Sequence, residues 1–201
     1  MLYVKRKYFK NLSKNLGYFF SNLPISPNQW TILSLILAML CFYLIASQEF
    51  LISFILCIFT ISIDMIDGAV ARATNRATKF GAYLDTIVDR FIEFSIIFGL
   101  FFVDYPSLIF SSKAWIMILL FGSMMSTYSK SAALEKGLTK QELKGGGLLE
   151  HTDRLLLFLV SILVSYFSLQ YAIYLIVLTS ILTLISFFQR FLIATKRYII
   201  K

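Results

Sequence analysis

The sequence predicts an all-α integral membrane protein with six transmembrane helices. The composition is 58% hydrophobic, and a mean hydropathy of +0.77 is too high for an ordinary soluble domain. Six apolar stretches recur along the 201 residues, and polar segments separate them. Eighteen of the 19 Lys and Arg residues fall in segments that a six-helix topology places on one side of the membrane.

The apolar stretches define the expected helices. Several are shorter than the ~20 residues that span hydrocarbon, so we expect the helices to continue into polar flanks that face a protein-lined cavity. Residues 26–201 should form a six-helix bundle, and residues 1–25 an N-terminal interfacial amphipathic helix, because their cations alternate with apolar and aromatic side chains. We predict one domain over 1–201. The apolar stretches lie at roughly 30–47, 50–63, 91–103, 115–127, 155–168 and 171–188.

Charge placement orients this bundle in the cell membrane. If both termini are cytoplasmic, Lys113 is the one cation left on the outer side, where the expected loops near 47–49, 104–113 and 169–170 are short. We therefore expect a multi-pass protein with both termini cytoplasmic. The net charge of +8 follows from this orientation and from attraction to anionic membrane lipid, so we expect no nucleic-acid partner.

Four aspartates are the main indication of function. Asp64 and Asp67 lie on an expected helix at 50–73, and Asp85 and Asp89 lie on the next, at 80–103. Residues three or four apart share a helix face, and a short connection makes the two helices antiparallel neighbours. The four carboxylates should therefore line one cleft that opens to the cytoplasm. Carboxylates in a membrane are costly, and divalent cations would offset their mutual repulsion.

The residues alone leave three interpretations of this cluster open. It could support metal-assisted phosphoryl chemistry, form a cation path in a transporter, or make structural ion pairs with Arg72, Arg76 and Arg90. Phosphoryl chemistry fits the neighbouring residues, because Gly68 and Ala71 allow a ligand to approach closely. The guanidinium fork of Arg72 also suits phosphate oxygens.

The aspartates belong to a longer pattern. Residues 64–89 match every fixed position of D-x2-D-G-x2-A-R-x8-G-x3-D-x3-D. This is the signature of the CDP-alcohol phosphotransferase family, also called CDP-alcohol phosphatidyltransferases, which the chain resembles over essentially its whole length. The resemblance implies transfer of a phosphatidyl-type group from a CDP-linked lipid to an alcohol, with release of CMP.

The resemblance also implies roles for the matching residues. Two divalent cations, Mg²⁺ or Mn²⁺, would be held by four aspartates, of which Asp89 would also act as general base. It further implies a homodimer. The cation-binding residues would be Asp64, Asp67, Asp85 and Asp89, and the CDP-lipid-binding residues would be Asn28, Gln29, Gly68, Ala71, Arg72 and Thr78.

A smaller set of cations indicates the acceptor alcohol. Lys130, Arg154 and Arg190 should converge at the cytoplasmic ends of helices four, five and six, where three cations suit a phosphorylated acceptor. Their surroundings resemble synthases of phosphatidylinositol phosphate and archaetidylinositol phosphate, in which such residues hold the phosphate of myo-inositol 1-phosphate. His151 stands where that group has an arginine, so glycerol 3-phosphate stays open as an acceptor. The lipid could be CDP-diacylglycerol or CDP-archaeol.

Overall fold

The computed structural model confirms the all-α class. It describes residues 18–21, 23–74, 76–139 and 147–199, with side chains as far as residue 196. Six long helices lie within this part of the chain, and residues 18–21 are also helical. The expected interfacial helix at 1–25 lies mostly outside the described residues. The helices are α1 (Pro27–Ala46), α2 (Phe50–Ala73), α3 (Lys79–Phe101), α4 (Ser112–Glu135), α5 (His151–Phe167) and α6 (Leu169–Ile199).

Most helices extend beyond their apolar stretches, as the sequence predicts. Helix α2 continues ten residues past the stretch at 50–63, and α3 begins twelve residues before the stretch at 91–103. Within the described residues, three helices are long and apolar enough to cross a membrane, at Pro27–Ala46, Phe50–Ala73 and Leu169–Lys196. The protein is therefore a membrane protein. Helix α5 is 17 residues long, or about 26 Å at 1.5 Å per residue.

The connections between helices are mostly short. Residues 47–49 join α1 to α2, and Gln48 has a positive φ of 62° in this turn. The prediction of a loop near 169–170 is wrong, because these residues begin α6. Ser168 alone separates α5 from α6, and its extended backbone (φ −163°, ψ 118°) is sufficient to end one helix before the next begins.

The chain forms two compact units, and the single domain stays a prediction. The first unit comprises the described residues of Met1–Phe42 and Ile55–Ser95. Its core contains Trp30 of α1 packed with Ile63, Ile66 and Val70 of α2. These α2 residues recur at helical spacing on one face, and Asp67 falls on the same face. The hydrophobic contact with α1 therefore fixes the direction of the Asp67 side chain.

The second unit comprises the described residues of Tyr43–Phe54 and Ile96–Lys201. Small residues bring α4 and α6 close together in it. A Cβ added at Gly122 would lie 2.8 Å from Thr183 Oγ1 and 3.3 Å from the Leu184 backbone nitrogen. Ser180 Oγ donates a hydrogen bond of 3.0 Å to the Trp115 carbonyl across the same contact. Close packing through Gly, Ser and Thr is typical of helices in membranes, and it places the ends of α4 and α6 side by side.

Candidate active site

Three of the four predicted aspartates form a compact acidic cluster in the first unit. Asp64 and Asp67 of α2 and Asp85 of α3 each place a carboxylate oxygen within 4.8 Å of the others. The residues between Ala73 and Lys79 are few enough to return the chain directly beside α2. The helical spacing and the short connection thus bring these carboxylates together, as the sequence predicts.

The cluster fits a hard divalent cation. Asp67 is 3% exposed and accepts a hydrogen bond from Thr31 Oγ1. Asp64 Oδ1 is buried and has no hydrogen-bond partner among the described residues. A buried polar atom without a partner is costly, and several carboxylates at this distance repel each other. An oxygen-only donor set of this kind is the coordination that Mg²⁺ and Mn²⁺ accept.

The fourth aspartate, Asp89, lies at the edge of the cluster. Its carboxylate interacts electrostatically with that of Asp64, but it is not among the three residues whose oxygens lie mutually within 4.8 Å. Arg90 pairs with Asp89 at 3.4 Å and with Glu93 at 2.6 Å. Glu93 is fully buried. Asp89 thus lies between the acidic cluster and the Arg90 guanidinium, and 26% of its side chain is exposed.

A cleft adjoins the acidic cluster within the first unit. Asp67 and Asp85 contribute to its wall, so a ligand in the cleft would contact carboxylates of the cluster. Five of the six residues predicted to bind the CDP-lipid also line it. The lining residues include Asn28, Gly68, Ala71, Arg72 and Thr78, and also Pro27, Thr31, Arg76, Ala77, Gly81 and Ala82.

The structure does not place Gln29 with these five residues. Its Oε1 accepts a hydrogen bond of 2.7 Å from the Ser26 backbone nitrogen, so its side chain caps the beginning of α1. Gln29 lines a separate cavity instead. Adjacent positions on a helix point about 100° apart, which is why Asn28 can face the cleft while Gln29 does not.

Gly81 and Thr31 are site residues whose contacts sequence reasoning missed. A Cβ at Gly81 would lie 3.1 Å from Thr78 Oγ1 and 3.2 Å from Asn28 Oδ1. Thr78 Oγ1 accepts a hydrogen bond of 2.9 Å from the Gly81 backbone nitrogen and so caps α3. The glycine therefore permits two cleft side chains to approach the α3 backbone. Thr31, four residues after Pro27, reaches Asp67 from the facing helix.

The second unit contains the predicted basic residues, and the structure brings them together. Arg154 of α5 and Arg190 of α6 are 0% and 1% exposed. Arg154 Nη1 donates to Ser126 Oγ at 3.4 Å, and Arg190 Nη1 donates to the same hydroxyl and to the Ser126 carbonyl at 2.7 Å. Ser126 lies on α4, one turn before Lys130. Helices α4, α5 and α6 therefore each supply one cation to this basic cluster.

Glu150 completes the basic cluster, and sequence reasoning assigned it no role. Its Oε2 lies 2.7 Å from Lys130 Nζ and 3.4 Å from Arg190 Nη2. Arg190 Nη2 also donates to the Leu149 carbonyl at 2.8 Å. An acid immediately before α5 is an ordinary helix-start signal, so its sequence position gives no indication of these ion pairs.

Comparisons with known proteins agree on one family. The family model described as CDP-alcohol phosphatidyltransferase matches residues 24–187. The archaetidylinositol phosphate synthase of Pyrococcus horikoshii is 30% identical over 202 residues, covering 98% of each chain. The phosphatidylinositol phosphate synthase of Corynebacterium glutamicum is 30% identical, covering 75% of this chain and 68% of its own.

The fold is also similar to solved structures of a related enzyme. Crystal structures of the Mycobacterium tuberculosis phosphatidylinositol phosphate synthase share 23% sequence identity with this chain. The structure with CDP-DAG bound has a TM-score of 0.79 and covers 92% of this chain and 94% of its own. The complex with manganese and citrate has a TM-score of 0.78, covering 91% and 88%. The match therefore extends over nearly the whole helical fold.

Proposed function

Because the chain belongs to the CDP-alcohol phosphatidyltransferase family, we propose that it transfers a phospholipid group to myo-inositol 1-phosphate. The donor is CDP-diacylglycerol or CDP-archaeol, and CMP is released. The single observation that carries the acceptor assignment is the cluster of Lys130, Arg154 and Arg190, contributed by three helices of one unit. Two relatives, matched over 98% and 75% of this chain, are synthases of archaetidylinositol phosphate and phosphatidylinositol phosphate.

The acidic cluster would hold the catalytic cations. Asp64, Asp67 and Asp85 would supply ligands to two divalent ions, and Asp89 would complete the site of the second. Mg²⁺ or Mn²⁺ fits this oxygen donor set, and a relative of this fold was crystallised with manganese. When bound, such ions offset the charge of a diphosphate and of the leaving phosphate.

The chain's own residues then bind and orient the substrates. Arg72 and Asn28 of the cleft hold the CDP portion of the donor, and Gly68 and Ala71 leave room for it. Asp89 accepts a proton from the acceptor hydroxyl, whose oxygen attacks the phosphorus attached to the lipid. The new phosphorus–oxygen bond forms as the bond to CMP breaks. This assignment relies on Asp89 being partly exposed and at the edge of the acidic cluster.

We also propose the six-span topology with both termini and both clusters on the cytoplasmic side. The placement of 18 of the 19 Lys and Arg residues supports it. Helices α3, α4 and α5 would cross together with the three more apolar helices, their polar residues facing protein. The homodimer that we expect is supported by the family resemblance alone.

A panel of acceptors tests the proposed function. Purified protein in detergent, with CDP-lipid and Mg²⁺, should release CMP with myo-inositol 1-phosphate and not with free inositol or serine. Glycerol 3-phosphate is the closest competitor, because it carries the same phosphate group on a different alcohol. Release with glycerol 3-phosphate alone would keep the reaction class and overturn the acceptor assignment.

Gly81→Ala should weaken donor use without changing acceptor use. The added methyl group must displace Thr78 Oγ1 and Asn28 Oδ1 by a few tenths of an ångström, and both line the cleft. We expect the KM for CDP-lipid to rise several-fold, corresponding to roughly 1 kcal/mol of misplaced contacts. Gly137→Ala is the control, because Gly137 lies elsewhere with a φ of 68°, and a Cβ added there would meet no described atom within 4 Å beyond its chain neighbours. It should lower stability and leave both KM values unchanged.

A further inference from the structure

We propose that Glu150 is a resident counter-ion of the acceptor-phosphate site, which holds Lys130 and Arg190 until the phosphate of the acceptor displaces it. This inference rests on the proposed acceptor chemistry. One oxygen, Glu150 Oε2, lies 2.7 Å from Lys130 Nζ and 3.4 Å from Arg190 Nη2. Two of the three cations assigned to the phosphate therefore already share a carboxylate oxygen.

The carboxylate is the accessible part of an otherwise fixed cluster. The side chain of Glu150 is 39% exposed, compared with 19% for Lys130 and 1% for Arg190. A ligand that approaches from solvent can therefore reach the carboxylate while Arg190 is still covered. Displacing this side chain requires a change of rotamer and loss of its capping-box contact with the Asp153 backbone nitrogen.

The backbone near Glu150 has anchors in addition to the capping-box contact that its side chain makes with the Asp153 backbone nitrogen. The Glu150 nitrogen donates to Asp153 Oδ2 at 3.0 Å, and the Leu149 nitrogen donates to Ser186 Oγ at 2.8 Å. Arg190 keeps its own bonds to the Leu149 and Ser126 carbonyls, at 2.8 and 2.7 Å. Movement of the Glu150 carboxylate would therefore leave Arg190 and the beginning of α5 in place.

Charge determines which anion is preferred. A phosphate monoester carries about −1.5 to −2 charges near neutral pH, whereas Glu150 carries one, and a guanidinium binds phosphate through a bidentate fork. A phosphorylated acceptor can therefore replace the carboxylate, and a neutral alcohol has no charge with which to do so. Glu150 would also reduce repulsion among three neighbouring cations when no acceptor is bound.

The direction in which Glu150→Gln changes the affinity for phosphate tests this role. Glu150→Gln keeps the size of the side chain and removes the competing charge, so binding of inorganic phosphate and of myo-inositol 1-phosphate should strengthen about tenfold. Isothermal titration of purified protein at low salt measures both affinities. The KM for the phosphorylated acceptor should fall with them. Glu135→Gln is the matched control: it removes the same charge from an exposed pair with Lys136 and should bind as the wild type does.

The opposite result has a clear meaning. If Glu150 only positions the cations, Glu150→Gln will bind phosphate more weakly or equally, and either outcome overturns the proposal. Binding of inorganic phosphate does not depend on the acceptor alcohol. If Glu150→Gln binds inorganic phosphate more tightly and the enzyme uses glycerol 3-phosphate, only the proposed acceptor is rejected. Should Glu150→Gln not fold, a structure of the wild type with phosphate decides: a carboxylate still paired with Lys130 and Arg190 overturns the inference.

Discussion

Asp67→Asn should reduce cation-dependent CMP release by roughly 10³-fold or more, because charge stabilisation by a bound divalent ion is worth several kcal/mol. Asp67 lies in the three-carboxylate cluster and also lines the cleft. The substitution keeps the shape of the side chain, and the amide oxygen can still accept the hydrogen bond from Thr31. The fold should therefore survive the loss of the charge.

Thermal unfolding in detergent separates loss of the cation from loss of the fold. Mn²⁺ should stabilise the wild type, by about 2.7 kcal/mol at a concentration one hundred times its Kd. Asp67→Asn should lose this stabilisation yet unfold no earlier than the wild type in EDTA, because one of the mutually repelling carboxylates is gone. The exposed Asp104 provides the control variant, Asp104→Asn. Undiminished turnover of Asp67→Asn would remove the acidic cluster from the mechanism.

The first unit could be predicted closely because its site depends on local rules. Asp64 and Asp67 share a face through helical spacing, and the short connection after Ala73 places Asp85 of the next helix beside them. Both rules operate over fewer than thirty residues. Gln29 shows where such reasoning ends: the resemblance places it beside Asn28, whereas the geometry of the helix start turns its amide toward Ser26.

The basic cluster was predictable only in part, because its contacts join residues far apart in the chain. Lys130, Arg154 and Arg190 could be chosen as cations at helix ends, and α4, α5 and α6 do bring them together. The roles of Glu150 and Ser126 follow only from the packing of those helices. An acid before a helix and a serine within one are common, so neither has a sequence pattern that indicates an ion pair or a shared hydroxyl acceptor.

Asp89→Asn should lower kcat by about 10²–10⁴-fold, the range associated with loss of a general base, while the protein still binds a divalent cation. The amide cannot accept the proton of the acceptor hydroxyl. Asp64, Asp67 and Asp85 remain mutually within 4.8 Å without it, so stabilisation by Mn²⁺ should persist, at least for one ion. This combination distinguishes Asp89 from Asp67, whose substitution should remove both properties.

The two readouts together decide what Asp89 does. Turnover measured as CMP release and stabilisation by Mn²⁺ are determined on the same preparation, with Asp104→Asn as control. Loss of both properties would make Asp89 chiefly a cation ligand. Normal turnover would transfer the role of base to another group. The KM for CDP-lipid should change little in Asp89→Asn, because the cleft is lined by Asp67 and Asp85 and not by Asp89. A base acts on the acceptor hydroxyl, so its loss must appear in kcat.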